Sequence, residues 1–141
     1  MAVIALVLLN VGLIALDFYT HPHSGLADLP RRKQLEAAIG VLANYIGNYG
    51  FSSCLAMSAV FVKHGFDLVM SVKKEISPKF MMRLIAAVTL LNLTIESFSS
   101  AHGNGQFYGD VSFGFLGGLI GTLSAAITLN RLRAKENASL L

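Results

Sequence analysis

The chain has 141 residues, of which 54% are hydrophobic and 13% are charged, with a formal net charge of +3. Soluble domains are about 25% charged, so this composition excludes an ordinary water-exposed surface. The length also leaves no room for a separate soluble catalytic domain. We therefore expect one all-α domain over residues 1–141, a polytopic membrane protein with about four transmembrane helices and a C-terminal helical hairpin.

The first predicted helix covers about residues 2–18. Asp17 and Phe18 follow its uncharged stretch instead of a small-residue cleavage motif, which favours a retained helix over a signal peptide. Asp17, His21 and His23 are the only candidate metal ligands, because positions four apart share a helix face. Pro22 interrupts that helix, so these side chains are predicted to be interfacial, and neither a metal nor another cofactor is predicted.

The second predicted helix covers about residues 35–62, and residues 37–62 carry no charge. Asn44, Asn48 and Ser52 recur every four residues, which places their polar groups on one stripe. Lys63 and His64 follow at the end of the helix. His64 is interpreted as an interfacial histidine, with haem ligation as the alternative.

Basic residues also precede this second segment, and they complicate its sidedness. Arg31, Arg32 and Lys33 would lie outside if the segment crossed once, against the positive-inside rule. Either the rule is broken there and the amino terminus is cytoplasmic, or the segment bends at Gly47 and Gly50 and returns. We favour a single crossing, because a bend inside the membrane leaves backbone hydrogen bonds without partners.

The third predicted helix covers about residues 78–98 and starts with Ser77 as N-cap and Pro78 in its first turn. Thr89, Asn92 and Glu96 follow at spacings of three and four, on one face. A carboxylate facing lipid costs about 2.5 to 3.5 kcal/mol on insertion scales. Glu96 is therefore interpreted first as interfacial, then as lining an aqueous path, and last as a proton carrier, for which the sequence shows no relay partner.

The fourth predicted helix covers about residues 111–131, after a turn-rich connection over residues 99–110 that lacks Lys and Arg. Its small residues stand four apart, and such spacing flattens a helix face for close packing against another backbone. Both packing within one chain and contact between copies remain open for this face. Its members are Gly114, Gly117, Gly118, Gly121 and Ala125.

The basic segments indicate orientation and partners. Residues 63–83 and 131–135 are basic, which places the outer ends of the C-terminal hairpin, and the C-terminus, on the cytoplasmic side of a bacterial-type inner membrane. Because these charges flank apolar segments, their expected partners are membrane lipids and not nucleic acid.

The motifs of common enzyme classes are absent from the sequence, so no catalytic residue and no enzyme activity are predicted. The predicted function is that of a non-catalytic structural or accessory subunit of a larger membrane complex. The alternative is a homo-oligomeric pore or small ion or solute channel, lined by the polar faces. The polar-face residues are Asn44, Asn48, Thr89, Asn92 and Glu96.

From about Tyr49 to Lys135 the chain resembles small phage holins of the lambdoid type. It has an apolar helix with a basic end, a second helix opened by Ser77 and Pro78, an uncharged turn, and a glycine-rich third helix with a basic tail. The resemblance implies that monomers gather in the inner membrane through small-residue faces and open a lesion. Gly114, Gly117, Gly118 and Gly121 would then pack, while Asn92 and Glu96 would meet water.

Overall fold

The computed structural model of the protein describes residues 2–20, 30–70, 75–100 and 107–138. Within these ranges it describes every side chain except those of residues 2–3, 17–18, 20, 30–38, 40–41 and 99–100. This part of the chain forms four α-helices and contains no strand: α1 (Ala2–Thr20), α2 (Pro30–Val69), α3 (Pro78–Ser100) and α4 (Phe107–Ala138). The all-α class predicted from the sequence is confirmed.

All four helices extend beyond the predicted limits, α1 and α3 by two residues at their ends and α2 and α4 by more at both ends. α2 continues past residue 62 to Val69, because Lys63 and Asp67, four residues apart, pair on its surface. α4 begins at Phe107, so Asp110 lies in its first turn and not in the connecting loop. A carboxylate is favourable there, because it faces the positive end of the helix dipole.

α2 is one continuous helix through Gly47 and Gly50. The alternative in which this segment bends there and returns to its starting side therefore does not occur. Gly50 instead meets α1, where a Cβ would lie 2.8 Å from the Asn10 carbonyl oxygen.

Ile76, which lies just before α3, is attached to α4 by one side chain. Asn130 Oδ1 accepts a hydrogen bond from the Ile76 amide at 2.8 Å, and Asn130 Nδ2 donates to the Ile76 carbonyl at 3.3 Å. Ser77 then caps α3 as the sequence predicts, since its hydroxyl accepts from the Phe80 amide at 3.2 Å.

α2 lies at the centre of the bundle, with α1 and α4 packed on it, while α3 packs mainly on α4. α2 and α4 run parallel, because Tyr49 contacts Gly117 and Ser53 contacts Gly121. α1 is antiparallel to α2, since Asn10 bonds Ser53 and Gly50 approaches Ile14. The hairpin of α3 and α4 is antiparallel.

The large apolar side chains of the bundle point outward. On α3, Leu90 is 65% exposed and Phe98 is 77% exposed, and α4 exposes Phe115 and Ile127. α3 over Pro78–Phe98 and α4 over Phe107–Ala138 are long and apolar enough to cross a membrane, and they are the two candidate spans among the described residues. The apolar part of α1, Ile4–Leu16, is shorter.

Candidate functional site

A buried polar cluster joins α2, α3 and α4 at the end of the bundle where α4 begins. Asp110 is 5% exposed and Glu96 is 9% exposed. Asp110 Oδ1 accepts hydrogen bonds from Asn44 Nδ2 at 2.5 Å and from Asn48 Nδ2 at 3.0 Å. Glu96 follows Asn92 by one turn on α3, Asp110 precedes Gly114 by one turn on α4, and Asn92 lies against Gly114. We refer to these four residues as the acid cluster.

Aromatic rings cover the acid cluster on the α2 and α4 sides. The rings of Tyr45 and Phe113 stack with centroids 5.4 Å apart. Gly109 lies directly against the Tyr45 ring, where any Cβ would collide with it. The glycine next to Asp110 thus lets the Tyr45 ring approach α4 beside the carboxylate.

A second set of polar contacts links the helices near the middle of the bundle. Asn92 on α3 donates to Ser52 Oγ on α2 at 2.8 Å and to its own helix at the Val88 carbonyl. Asn10 on α1 donates to Ser53 Oγ at 2.7 Å. These side chains are fully or almost fully buried, so each bond satisfies groups that would be costly to leave alone.

The small residues of α4 make room for these contacts. A Cβ at Gly114 would lie 2.7 Å from Asn92 Cγ, and one at Gly121 would lie 2.5 Å from the Ser53 carbonyl oxygen. Gly117 abuts the Tyr49 backbone and Gly118 abuts Val88. Ala125 is fully buried. All five predicted packing positions thus lie inside this chain, on the sides of α4 that face its neighbours.

Lys63, His64, Asp67 and Arg133 form a charged cluster at the opposite end of the bundle, where α2 and α4 end. Asp67 pairs with Lys63 and lies 3.6 Å from Arg133, and Arg133 Nη2 lies 2.7 Å from His64 Nδ1. The hydrogen bond from Lys63 lowers the pKa of Asp67, and the charges of Lys63 and Arg133 lower it further, against a smaller opposing effect of burial. Asp67 is therefore an ionised carboxylate between cations.

The structure separates the predicted polar face into different roles. Asn44 and Asn48 bond Asp110, Glu96 is buried on α3, and Asn92 bonds α2. Thr89 bonds only within its own helix, to the Ile85 carbonyl at 2.8 Å. The side chains of Asp17, His21 and His23 are outside the described part of the structure. Within the described part, no group of three or more His, Cys, Asp or Glu side chains is placed to bind a metal ion.

Asp110 and Asn10 are not among the site residues that the sequence predicts. The sequence predicts Asp110 in the connecting turn, although an acidic residue just before an apolar run also signals the first turn of a helix. That reading would have placed Asp110 at the same end of the hairpin as Glu96. Asn10 stands alone in an apolar segment, with no polar residue three or four positions away. No periodic pattern therefore indicates that it contacts another helix.

The chain was compared with protein-family models, curated proteins and solved structures, and it matches none of them.

Proposed function

We propose that the protein is an integral membrane protein whose four helices all cross the bilayer, and that it works without catalysis as an accessory subunit of a larger membrane complex. The observation that carries this proposal is the apolar outer surface of the bundle, around an interior that holds polar side chains beside a small apolar core. Asn10, Ser52, Ser53, Asn92 and Thr122 are buried, whereas leucine, isoleucine and phenylalanine side chains cover the outside. Hydrocarbon is the solvent for which such a surface is suited.

The distance between the two charged or polar ends supports this assignment. At about 1.5 Å per residue, α2 rises about 28 Å from Asn44 to Lys63, and α4 rises about 32 Å from Asp110 to Arg131. A bilayer core is about 30 Å thick. The acid cluster and the charged cluster would then lie at opposite membrane surfaces, with the apolar faces between them.

The same arrangement leads to a proposed sidedness. Lys63, Lys79, Arg131 and Arg133 belong to the charged end, and the positive-inside rule places that end in the cytoplasm. Both the beginning of α1 and the end of α4 would lie on that side of an inner membrane. The basic residues at 31–33 would then be an exception to the rule.

An accessory role is favoured over a pore because the groups that a pore needs are already used within the chain. Asn92 bonds α2 and Glu96 is buried, and the small residues of α4 pack against α2 and α3. What remains for contact with other molecules is apolar surface. α3 exposes more of it than α4, because 17% of the apolar segment of α3 is buried against 39% of that of α4.

A holin-like or channel-like oligomer is the second candidate, and one observation favours it. Polar side chains of α2, α3 and α4 meet along a single interior line, through Ser52, Asn92 and the acid cluster. If the helices separated during assembly, these groups would line the resulting opening.

Two measurements distinguish the candidates. A tagged chain extracted from its own membrane in mild detergent is expected to co-purify with other chains in fixed ratio, as read by native mass measurement. A single repeating subunit would contradict the accessory role. Induced expression in bacteria is expected to leave the membrane potential unchanged, whereas rapid depolarisation would favour the pore.

A further inference from the structure

Most of the positive charge of the chain is gathered at one end of the bundle. Residues 63–83 and 131–138 hold eight of the eleven Lys and Arg residues but only three of the eight Asp and Glu residues. We propose that Lys63 and Lys79 bind the phosphate of one anionic phospholipid at this end, between the end of α2 and the start of α3. The inference rests on the proposed crossing of the membrane and not on the accessory role.

Lys63 and Lys79 belong to different helices that meet at the Phe80 ring. Lys63 Nζ lies 6.0 Å from the centre of this ring, and Lys79 directly precedes Phe80 on α3. The Lys63 side chain is 39% exposed, and Lys79 is also exposed. An ammonium group has three N–H donors and a long, flexible stem. Both groups can therefore reach one phosphate from opposite sides of the junction.

The apolar neighbours of Lys63 suit the acyl chain of a lipid. Phe66 and Met70 follow Lys63 by three and seven residues, so the three side chains lie on one side of α2. Phe66 is 64% exposed and Met70 is 58% exposed. An acyl chain would cover these apolar side chains, and that burial is favourable. An inorganic phosphate ion would not cover them, so the surface favours a lipid over the free ion.

The height of Lys63 along the bundle fits the headgroup layer. About 28 Å of α2 separate Asn44 from Lys63, close to the thickness of a bilayer core. With the acid cluster at one membrane surface, the Lys63 ammonium would lie at the other. The phosphates of anionic lipids lie at this level on the cytoplasmic side, where basic clusters beside transmembrane helices bind them.

The charged cluster also contains a donor that the described chain leaves unused. Asp67 pairs with Lys63, and its other oxygen lies 3.6 Å from Arg133 Nη2. Arg133 Nη1 is buried and has no hydrogen-bond partner among the described residues. Leaving a buried donor of a charged group unpaired is costly. One carboxylate is thus shared by two cations, and Arg133 has the weaker contact.

A bound phosphate would relieve this shortage of acceptors. If the Lys63 ammonium turned to the phosphate, both carboxylate oxygens of Asp67 would become available to Arg133. A guanidinium group can bond one carboxylate through two nitrogens at once. Asp67 therefore competes with the lipid for Lys63. Removing the Asp67 charge should strengthen lipid binding, although it removes an ion pair from the chain.

Native mass measurement of the full chain in detergent, titrated with phosphatidylglycerol, tests the site. One lipid should bind at least about tenfold more tightly than phosphatidylcholine, which has a phosphate but no net charge, and than inorganic phosphate. Equal binding of phosphatidylcholine would refute the need for net charge, and equal binding of inorganic phosphate would refute the lipid. A chain that needs detergent for solubility but binds no phosphatidylglycerol would refute the site and leave the membrane assignment intact.

Lys79→Gln tests whether binding is specific to this junction. It should weaken phosphatidylglycerol binding about tenfold, the effect of losing one hydrogen bond to a charged group. Because Lys79 is exposed, the variant should fold normally. Lys135→Gln removes an exposed charge of α4 at the same end and should have a much smaller effect. Equal losses in the two variants would indicate general attraction to the basic end and would refute the site.

Asp67→Asn tests the competition for Lys63. Phosphatidylglycerol should bind this variant about threefold to fivefold more tightly, because Lys63 no longer has a carboxylate partner. Glu75→Gln neutralises an exposed carboxylate at the same end and should change binding far less. Unchanged or weaker binding by Asp67→Asn, measured on chain that remains folded in detergent, would overturn the proposed exchange of partners.

Discussion

Single glycines determine how closely α2 and α4 approach. Gly117 and Gly121 face the backbone carbonyls of Tyr49 and Ser53, which cannot move aside as a flexible side chain could. We expect Gly117→Ala and Gly121→Ala each to lower the free energy of unfolding in detergent by about 1 to 3 kcal/mol, the usual effect of overpacking.

Two other helical glycines provide the matched controls for this prediction. A Cβ at Gly12 or Gly65 would meet nothing within 4 Å. Alanine at either position should be neutral or stabilise by up to about 1 kcal/mol through helix propensity. Equal losses at all four positions would contradict the proposed packing, since they would reflect a general intolerance of the helices.

Asp67 gives the charged end a predictable response to acid. Its pKa is lowered in the folded chain, mainly by the hydrogen bond from Lys63. Its stabilising contribution is therefore complete above the unfolded value of about 3.9 and is lost as the pH falls through the lower folded value. Asp67→Asn should be less stable than the unmodified chain at pH 7 and should lack this loss in acid.

Thermal unfolding in detergent between pH 2 and pH 7 measures this difference. Glu75→Gln, which changes an exposed carboxylate, is the control and should keep the acid-side loss. Identical pH profiles for the unmodified chain and Asp67→Asn would show that the ion pairs around Asp67 contribute nothing.

The residue scale is also where the sequence was least informative. The polar spacing of Asn44 and Asn48 correctly indicated a shared face, but the partner of that face, Asp110, lies far along the chain. A periodic pattern shows which way a side chain points on its own helix. It does not show which other helix it meets.

Among elements, the polar contact between Asn92 of α3 and Ser52 of α2 is the clearest link, because α3 otherwise packs mainly on α4. Such contacts within membrane bundles average about 0.6 kcal/mol and reach about 1.7 kcal/mol. We expect a double-mutant cycle of Asn92→Ala and Ser52→Ala to give a coupling free energy in that range.

The cycle needs a polar residue of α3 that bonds only its own helix. Thr94 fits, because its hydroxyl bonds the Leu90 carbonyl. Thr94→Ala combined with Ser52→Ala should show no coupling. Coupling of similar size in both cycles would mean that the effect spreads through the bundle and does not come from the bond.

The existence and order of the helices were predictable, because charges, prolines and glycines separate long apolar runs. The residues at which the helices begin and end were less predictable. α2 gains its last turns from the Lys63 and Asp67 pair, and α4 gains its first from Phe107 to Asp110. Both extensions also make contacts with other helices, through Arg133 in one case and Asn44 in the other.

At the scale of the whole molecule, helix directions in the bundle were fixed by contacts that no local pattern contains. α2 and α4 run parallel through Tyr49 on Gly117 and Ser53 on Gly121. This parallel direction is compatible with four alternating crossings, because α3 lies between α2 and α4 in the chain and runs in the opposite direction. The small-residue stripe of α4 was equally consistent with contact between copies, and only the approach of α2 shows that it is occupied within the chain.

Four alternating crossings predict which exposed positions share a side of the membrane. Ser77 lies at the start of α3 and Asn137 near the end of α4, both at the charged end, while Tyr108 lies beside the acid cluster. Single cysteines at these positions, in a Cys54→Ser background, should react with a membrane-impermeant thiol reagent from two different sides. Ser77→Cys and Asn137→Cys should be labelled together in inverted vesicles, and Tyr108→Cys in intact cells. Labelling of all three from one side would mean that α3 and α4 do not cross, because a bilayer between the two ends of the bundle is what separates their accessibility.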